Sequence, residues 1–267
     1  MAADATHFPW LMQLLGSIYK VNFDDIGAIA VFNLGFTKEQ IDELNSIDKV
    51  TVYAVEQTNP YMLTYFKNRK WENYVRGWYS WKPVVIKQAL DLFPYVFYVD
   101  SKIIVNQPLN NLFKHIRQNG YFLIDQIYPV KTLSTAHVVK KFDLDNPQNK
   151  HLSSAISIAG GVQGLTKELY NDYVMPMYEL SKDIKNFEDD GSAPNGLGHA
   201  RCDQTLFSIY AAKLGLQVLR LSNSKIKEFY SIDGIKEPIN GLNNILRLWV
   251  DLKEAEKFKQ YLRYKKI

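Results

Sequence analysis

A chain of 267 residues with 46% hydrophobic and 22% charged side chains has the composition of an ordinary globular protein, which excludes the disordered and fibrous classes. Its net charge of +4 is the excess of 32 basic over 28 acidic residues, the basic ones scattered until Lys253, Lys257, Lys259, Arg263, Lys265 and Lys266 crowd the tail; this reads as a solvated helix face and excludes a nucleic-acid partner, which would need more concentrated charge. One cysteine, Cys202, excludes an internal disulfide and no apolar run reaches 18 residues, so a protein without a transmembrane segment in a reducing, cytoplasmic compartment is expected.

In chain order, Pro9–Tyr19 reads as a helix with almost no strand before it: either Met1–Ala3 supplies the first strand, or the chain is a domain excised from a larger protein. Ile26–Phe32 reads as a buried strand, and Thr37-Lys38-Glu39-Gln40 is a capping box that starts a helix through Leu44. Strand Val50–Val55 completes a βαβ unit. Trp81-Lys82-Pro83 starts a helix that runs to Phe93-Pro94, and strand Tyr95–Val99 delivers Asp100. Beyond it the pattern predicts a strand at Ile103–Val105, a helix at Pro108–Gln118 closed by Gly120, and a strand at Tyr121–Ile124. A further strand, Ala155–Ala159, ends at Gly160-Gly161. Helices follow at Thr166–Leu180 and Gln204–Leu214, and a last strand at Gln217–Leu221. The stretches Val130–Ser153 and Lys185–Ala200 read as long loops, candidate walls of a binding site. Alternating strands and helices predict a single α/β domain over 1–267, with a mixed, mainly parallel central sheet flanked by helices.

Several familiar motifs are missing. There is no Gly-x-Gly-x-x-Gly, no P-loop and no Gly-x-Ser-x-Gly, which removes the phosphate-cradling loops and the hydrolase elbow. The histidines stand too far apart for metal-ligand spacing. What carries chemistry is the run from Tyr95 to Leu109, where an apolar strand ends in Asp100-Ser101-Lys102 and a short apolar strand and a proline follow. An acid at the carboxyl end of a strand stands where α/β sheets bind ligands.

This run resembles the acidic signature of GT-A glycosyltransferases, in which Asp-x-Asp holds a divalent metal and the ribose and diphosphate of a nucleotide-sugar. Three further stretches resemble the same family in the same order: Asp4-Ala5-Thr6-His7, Arg76-Gly77-Trp78-Tyr79-Ser80-Trp81-Lys82-Pro83, and Gly160-Gly161 followed by His199-Ala200-Arg201-Cys202-Asp203-Gln204. The resemblance implies a GT-A fold and an enzyme moving a hexosyl or deoxyhexosyl unit from a UDP- or GDP-linked donor to a glycan or other hydroxyl acceptor. It implies a donor site made of Asp4, His7, Arg76, Lys82, Asp100, Ser101, Lys102, Gly160 and Gly161, with Mn or Mg on Asp100, and catalytic roles for Asp203 and Gln204. Asp203 would be the base of an inverting reaction, or would position the sugar in a retaining one. The chain is similar to small GT-A-like proteins with Asp-Ser-x at the acidic site, and to domains of multi-domain transferases of large algal viruses. It departs from the pattern at Lys102, which stands at the second acid. That leaves two alternatives open: a lysine that replaces the metal as counter-charge, or a catalytically inactive binding or scaffolding module.

Overall fold

In a computed structural model, which describes residues 1–67, 74–194, 200, 202–219, 246–248 and 257–265, the chain opens with a parallel sheet. Strand β1 (Ala2–Ala3) pairs with β2 (Ile29–Asn33), and β2 pairs with β3 (Val50–Ala54). Parallel neighbours need crossovers, supplied by α1 (Phe8–Asn22) and α2 (Lys38–Ser46). Helix α1 carries Pro9 in its first turn, where the missing N–H costs nothing, and buries Leu11, Met12, Leu14, Leu15 and Ile18. Helix α2 is held mainly by its capping box: Thr37 Oγ1 accepts from Gln40 N–H, and Gln40 Oε1 from Thr37 N–H.

Next comes an antiparallel ribbon of β4 (Tyr65–Lys67) and β5 (Tyr74–Arg76), then a turn over Gly77–Tyr79 and helix α3 (Trp81–Leu92). Strand β6 (Tyr95–Val99) leads through Asp100 to β7 (Ile103–Val105). Helix α4 (Asn110–Asn119) ends at Gly120, whose φ of 81° is the left-handed closure expected of a helix-terminal glycine. Strand β8 (Tyr121–Pro129), short helices α5 (Ala136–Lys141) and α6 (Lys150–Ser153), strand β9 (Ile156–Thr166), α7 (Met175–Leu180) and α8 (Cys202–Lys213) follow. Strands β6, β9 and β8 form an antiparallel sheet with β9 in the centre, and β7 pairs with β10 (Leu246–Leu248).

Two apolar clusters hold these layers. One gathers Trp78, Trp81, Ile86, Tyr173, Phe187 and Phe207; the other joins α1, β2 and α4 through Leu11, Leu14, Val31, Leu112 and Phe122. A fully buried Phe122 or Phe207 stabilises the fold by about 1.5–3 kcal/mol through burial alone.

Four expectations are corrected. Gly160-Gly161 does not end a strand: β9 runs through both glycines to Thr166, because Val162, Gln163 and Leu165 continue a buried, paired strand. The helix expected over Thr166–Leu180 is a 3-10 turn at Lys167–Leu169, a π-turn at Tyr170–Val174 and then α7, where Pro176 can donate no backbone hydrogen bond. Val130–Ser153 is not a loop: Thr135 caps α5, and Val130, Leu133, Val138, Phe142, Leu144 and Leu152 are buried. Of Gln217–Leu221, Leu219 makes a single parallel bridge to Ile124, while positions 220 and 221 lie outside the described residues. So do 195–199 and 201, including His199 and Arg201, and Lys253 and Lys266 of the basic tail.

Candidate functional site

Three elements from distant parts of the chain deliver charge to one point. Strand β6 places Tyr98 and Asp100 two residues apart and thus on one face, and the Tyr98 hydroxyl donates to Asp100 Oδ1 at 2.6 Å. The first turn of α3 supplies Lys82, whose Nζ lies 2.9 Å from Asp203 Oδ2 and 3.4 Å from Asp100 Oδ1. The first turn of α8 supplies Asp203 and Gln204. The Lys82 ammonium is buried among the rings of Tyr79, Trp81 and Tyr98, 5.4–5.8 Å from their centres. Burial alone would lower its pKa, but the charges of Asp100 and Asp203 outweigh that and hold it above the ordinary lysine value. Burial pushes the Asp203 carboxyl above the usual carboxylate range, against the pull of Lys82. The Gln204 side-chain nitrogen is buried beside it and has no hydrogen-bond partner among the described residues.

The glycines of β9 make room for these acids. A Cβ on Gly161 would lie 2.4 Å from Asp100 Oδ2, and one on Gly160 would lie 2.8 Å from Asp203 Oδ2.

A second cluster forms around Asp4, behind the parallel sheet's carboxyl edge. Its carboxylate accepts from His7 N–H and from Tyr65 OH, and pairs with Arg76 Nε at 3.0 Å and His7 Nδ1 at 2.9 Å. Burial would raise its pKa, but these partners outweigh it and hold the group well below the usual range. A carboxylate offers about four lone-pair sites, so Asp4 is saturated and fixes Arg76 and His7 in place. Arg76 also stacks over Tyr65 at 4.0 Å and donates to the Leu63 carbonyl. Lys102 lies over the Trp10 ring at 4.9 Å, and His7 packs on the same ring.

One cleft joins the two clusters. Its volume is about 440 Å³, within the range of small-molecule sites. Asp4, His7, Arg76 and Lys82 line one part of it, Asp100, Ser101 and Lys102 its floor, and Gly160, Gly161, Asp203 and Gln204 the rest. Sequence reasoning had missed Tyr65, Tyr74, Tyr79 and Tyr98. Only Tyr98 left a usable signal, its two-residue spacing from Asp100. Among the described residues no three His, Cys, Asp or Glu side chains cluster as a metal cage, and no helix is long and apolar enough to cross a membrane.

No family model matches the chain, and no curated protein matches its sequence. Its structure is similar to that of the galactosyltransferase LgtC, in an active-site mutant form, with a TM-score of 0.54, 10% identity, and coverage of 99% of this chain and 96% of that one. It is also similar to the mannosyltransferase Ktr4p of S. cerevisiae in complex with GDP (TM-score 0.49, 11% identity, 82% of this chain and 67% of that one). A third likeness is to mouse xyloside xylosyltransferase 1 (TM-score 0.41, 14% identity, 79% and 80%). The likeness to LgtC covers almost the whole of both chains, and the chain therefore has the GT-A glycosyltransferase fold.

Proposed function

We propose that the chain is a glycosyltransferase, moving a hexosyl or deoxyhexosyl unit from a UDP- or GDP-linked donor to a hydroxyl of a glycan acceptor. The observation that carries this reading is the Asp100–Lys82–Asp203 arrangement in the cleft, at the carboxyl end of β6, with Lys82 and Asp203 buried. In the reaction the acceptor oxygen bonds to the anomeric carbon, the bond from that carbon to the diphosphate breaks, the nucleoside diphosphate leaves with the electron pair, and the acceptor hydroxyl's proton passes to the departing diphosphate.

The base and ribose lie toward Asp4, His7 and Arg76, and the diphosphate lies over Asp100, Ser101 and Lys102. Lys82 pairs with two carboxylates, and Lys102, which lines the cleft beside Asp100, is the described cation that remains to meet the diphosphate. Asp203 already holds the Lys82 ammonium. Its role is to accept a hydroxyl of the sugar, while the unpartnered Gln204 nitrogen donates to another.

Asp100 fits a Mg²⁺ or Mn²⁺ ion held by one carboxylate. Its side chain is about a third exposed, and its Oδ2 makes no hydrogen bond to any described residue. Ions of this kind take one or two carboxylates and complete their shell with phosphate oxygens and water. Bound there, the metal would neutralise charge on the departing diphosphate.

Lys102 at the second acidic position favours a second reading, an inactive nucleotide-sugar-binding module. Heat denaturation with UDP and GDP tests the site that both readings share. A ligand at a hundredfold excess over its dissociation constant adds about 2.7 kcal/mol. A raised melting temperature with either nucleotide is expected, and no shift at millimolar concentration counts against the site.

A further inference from the structure

Gly77, Trp78 and Tyr79 are three consecutive residues in the left-handed backbone region, with φ of 51°, 48° and 65°. Glycine adopts that region freely. A Cβ at Gly77 would also lie 1.9 Å from the Met62 carbonyl oxygen, so that position is closed to any side chain. Trp78 and Tyr79 adopt it at a cost, because their Cβ crowds the following carbonyl. Such residues persist where the surroundings force them, and they gather at ligand sites.

The surroundings here are visible. Gly77 N–H donates to the Thr64 carbonyl at 2.7 Å, Ser80 N–H donates to the Gly77 carbonyl at 2.8 Å, and the buried Trp78 stacks on Phe66 with ring centres 5.6 Å apart. Packing thus accounts for Trp78, whereas the Tyr79 ring meets Trp81 at a tilt, ring centres 6.2 Å apart, and stays partly exposed. That side chain is 37% exposed on the cleft wall, its ring centre 5.4 Å from the Lys82 ammonium. Tyr65, also on the cleft wall, spends its hydroxyl on Asp4, and Tyr98 behind it spends its own on Asp100. The Tyr79 hydroxyl makes no hydrogen bond to any described residue. Burial, with smaller contributions from Cys202, Asp203 and Asp100 against the pull of Lys82, pushes its phenol up to about 12. It is therefore neutral at physiological pH and can both donate and accept.

We propose that Tyr79 reads the transferred sugar, its ring packing on an apolar C–H face of a pyranose and its hydroxyl bonding a sugar hydroxyl. This rests on the reading of the cleft as a nucleotide-sugar site. Tyr79 stands at the Lys82–Asp203 end, away from the Asp4–His7–Tyr65 end where the base would lie, so it discriminates the sugar and not the nucleotide.

Calorimetric titration of the wild type, Tyr79→Phe and Tyr79→Gly tests this, using UDP against UDP-glucose and UDP-galactose, and GDP against GDP-mannose. Glycine relieves the left-handed backbone, so Tyr79→Gly should melt no lower than the wild type and leave nucleoside diphosphate affinity unchanged. It should weaken the recognised sugar nucleotide about tenfold, and Tyr79→Phe, which keeps the ring, about threefold, the worth of a neutral hydrogen bond. Unchanged sugar-nucleotide affinity in Tyr79→Gly, or an equal loss for nucleotide and sugar nucleotide, overturns the role of Tyr79. A wild type that binds none of these ligands overturns the reading of the cleft itself, and Tyr79's role with it.

Discussion

At the scale of single residues, the site is built by neutralising buried charge. Lys82 sits between two carboxylates with a side chain only 4% exposed, and removing one member of a buried pair typically costs about 3–5 kcal/mol because the other charge stays buried. Lys82→Met should therefore destabilise the protein by about that amount in chemical denaturation, and adding Asp203→Asn should recover part of the loss. Asp4 makes a pH-dependent contribution. Its folded pKa lies below the unfolded value, so it stabilises the native state at pH above about 4. That stability is lost as the pH falls toward the folded pKa. Asp4→Asn should flatten the dependence of melting temperature on pH between about 5 and 3. Gly161→Ala sets a methyl against the Asp100 side chain and not against backbone. It should shift Asp100 and weaken donor binding while costing about 1 kcal/mol of stability or less. Asp100 was legible in the sequence because a strand-end acid after an apolar run has a recognisable pattern. Its pairing with Lys82, and that of Lys82 with Asp203, 121 positions further along, was not legible, since nothing local records which helix N-termini converge.

At the scale of elements, legibility followed local chemistry. Helix α2 was read from its capping box, the end of α4 from Gly120, and β6 from an unbroken apolar run, and each stands close to where the sequence puts it. Strand β9 was cut short because paired glycines read as a stop. Here they mark close approach by Asp100 and Asp203, which a sequence cannot distinguish from a turn. The ribbon β4–β5 was missed because three-residue strands carry too little alternation to register. Helix α1 offers a test of close packing. At Gly16 a Cβ would lie 2.1 Å from the backbone oxygen of Phe258. Alanine gains about 1 kcal/mol over glycine in a helix interior, but a clash with backbone cannot be relieved by a rotamer change. Gly16→Ala should lower stability by about 1–3 kcal/mol and make the segment 257–265 easier to cleave by protease.

At the scale of the whole molecule, the GT-A fold was legible because four weak motifs stand in family order along the chain, and every residue they nominated lines one cleft. The division between a parallel opening sheet and an antiparallel one behind it was not, since strand polarity depends on crossovers that periodicity leaves open. The two clusters on the cleft wall give the molecule its functional polarity, with the saturated Asp4 at one end and the Lys82-bridged acids at the other. Release of nucleoside diphosphate from a panel of UDP- and GDP-linked sugars, in Mn²⁺ and in EDTA, by the wild type and Asp100→Ala, tests the central claim most directly. The account predicts release from at least one donor in Mn²⁺, suppressed by EDTA and lost in Asp100→Ala. Equal release by the wild type and Asp100→Ala, or none from any donor under either condition, would contradict it.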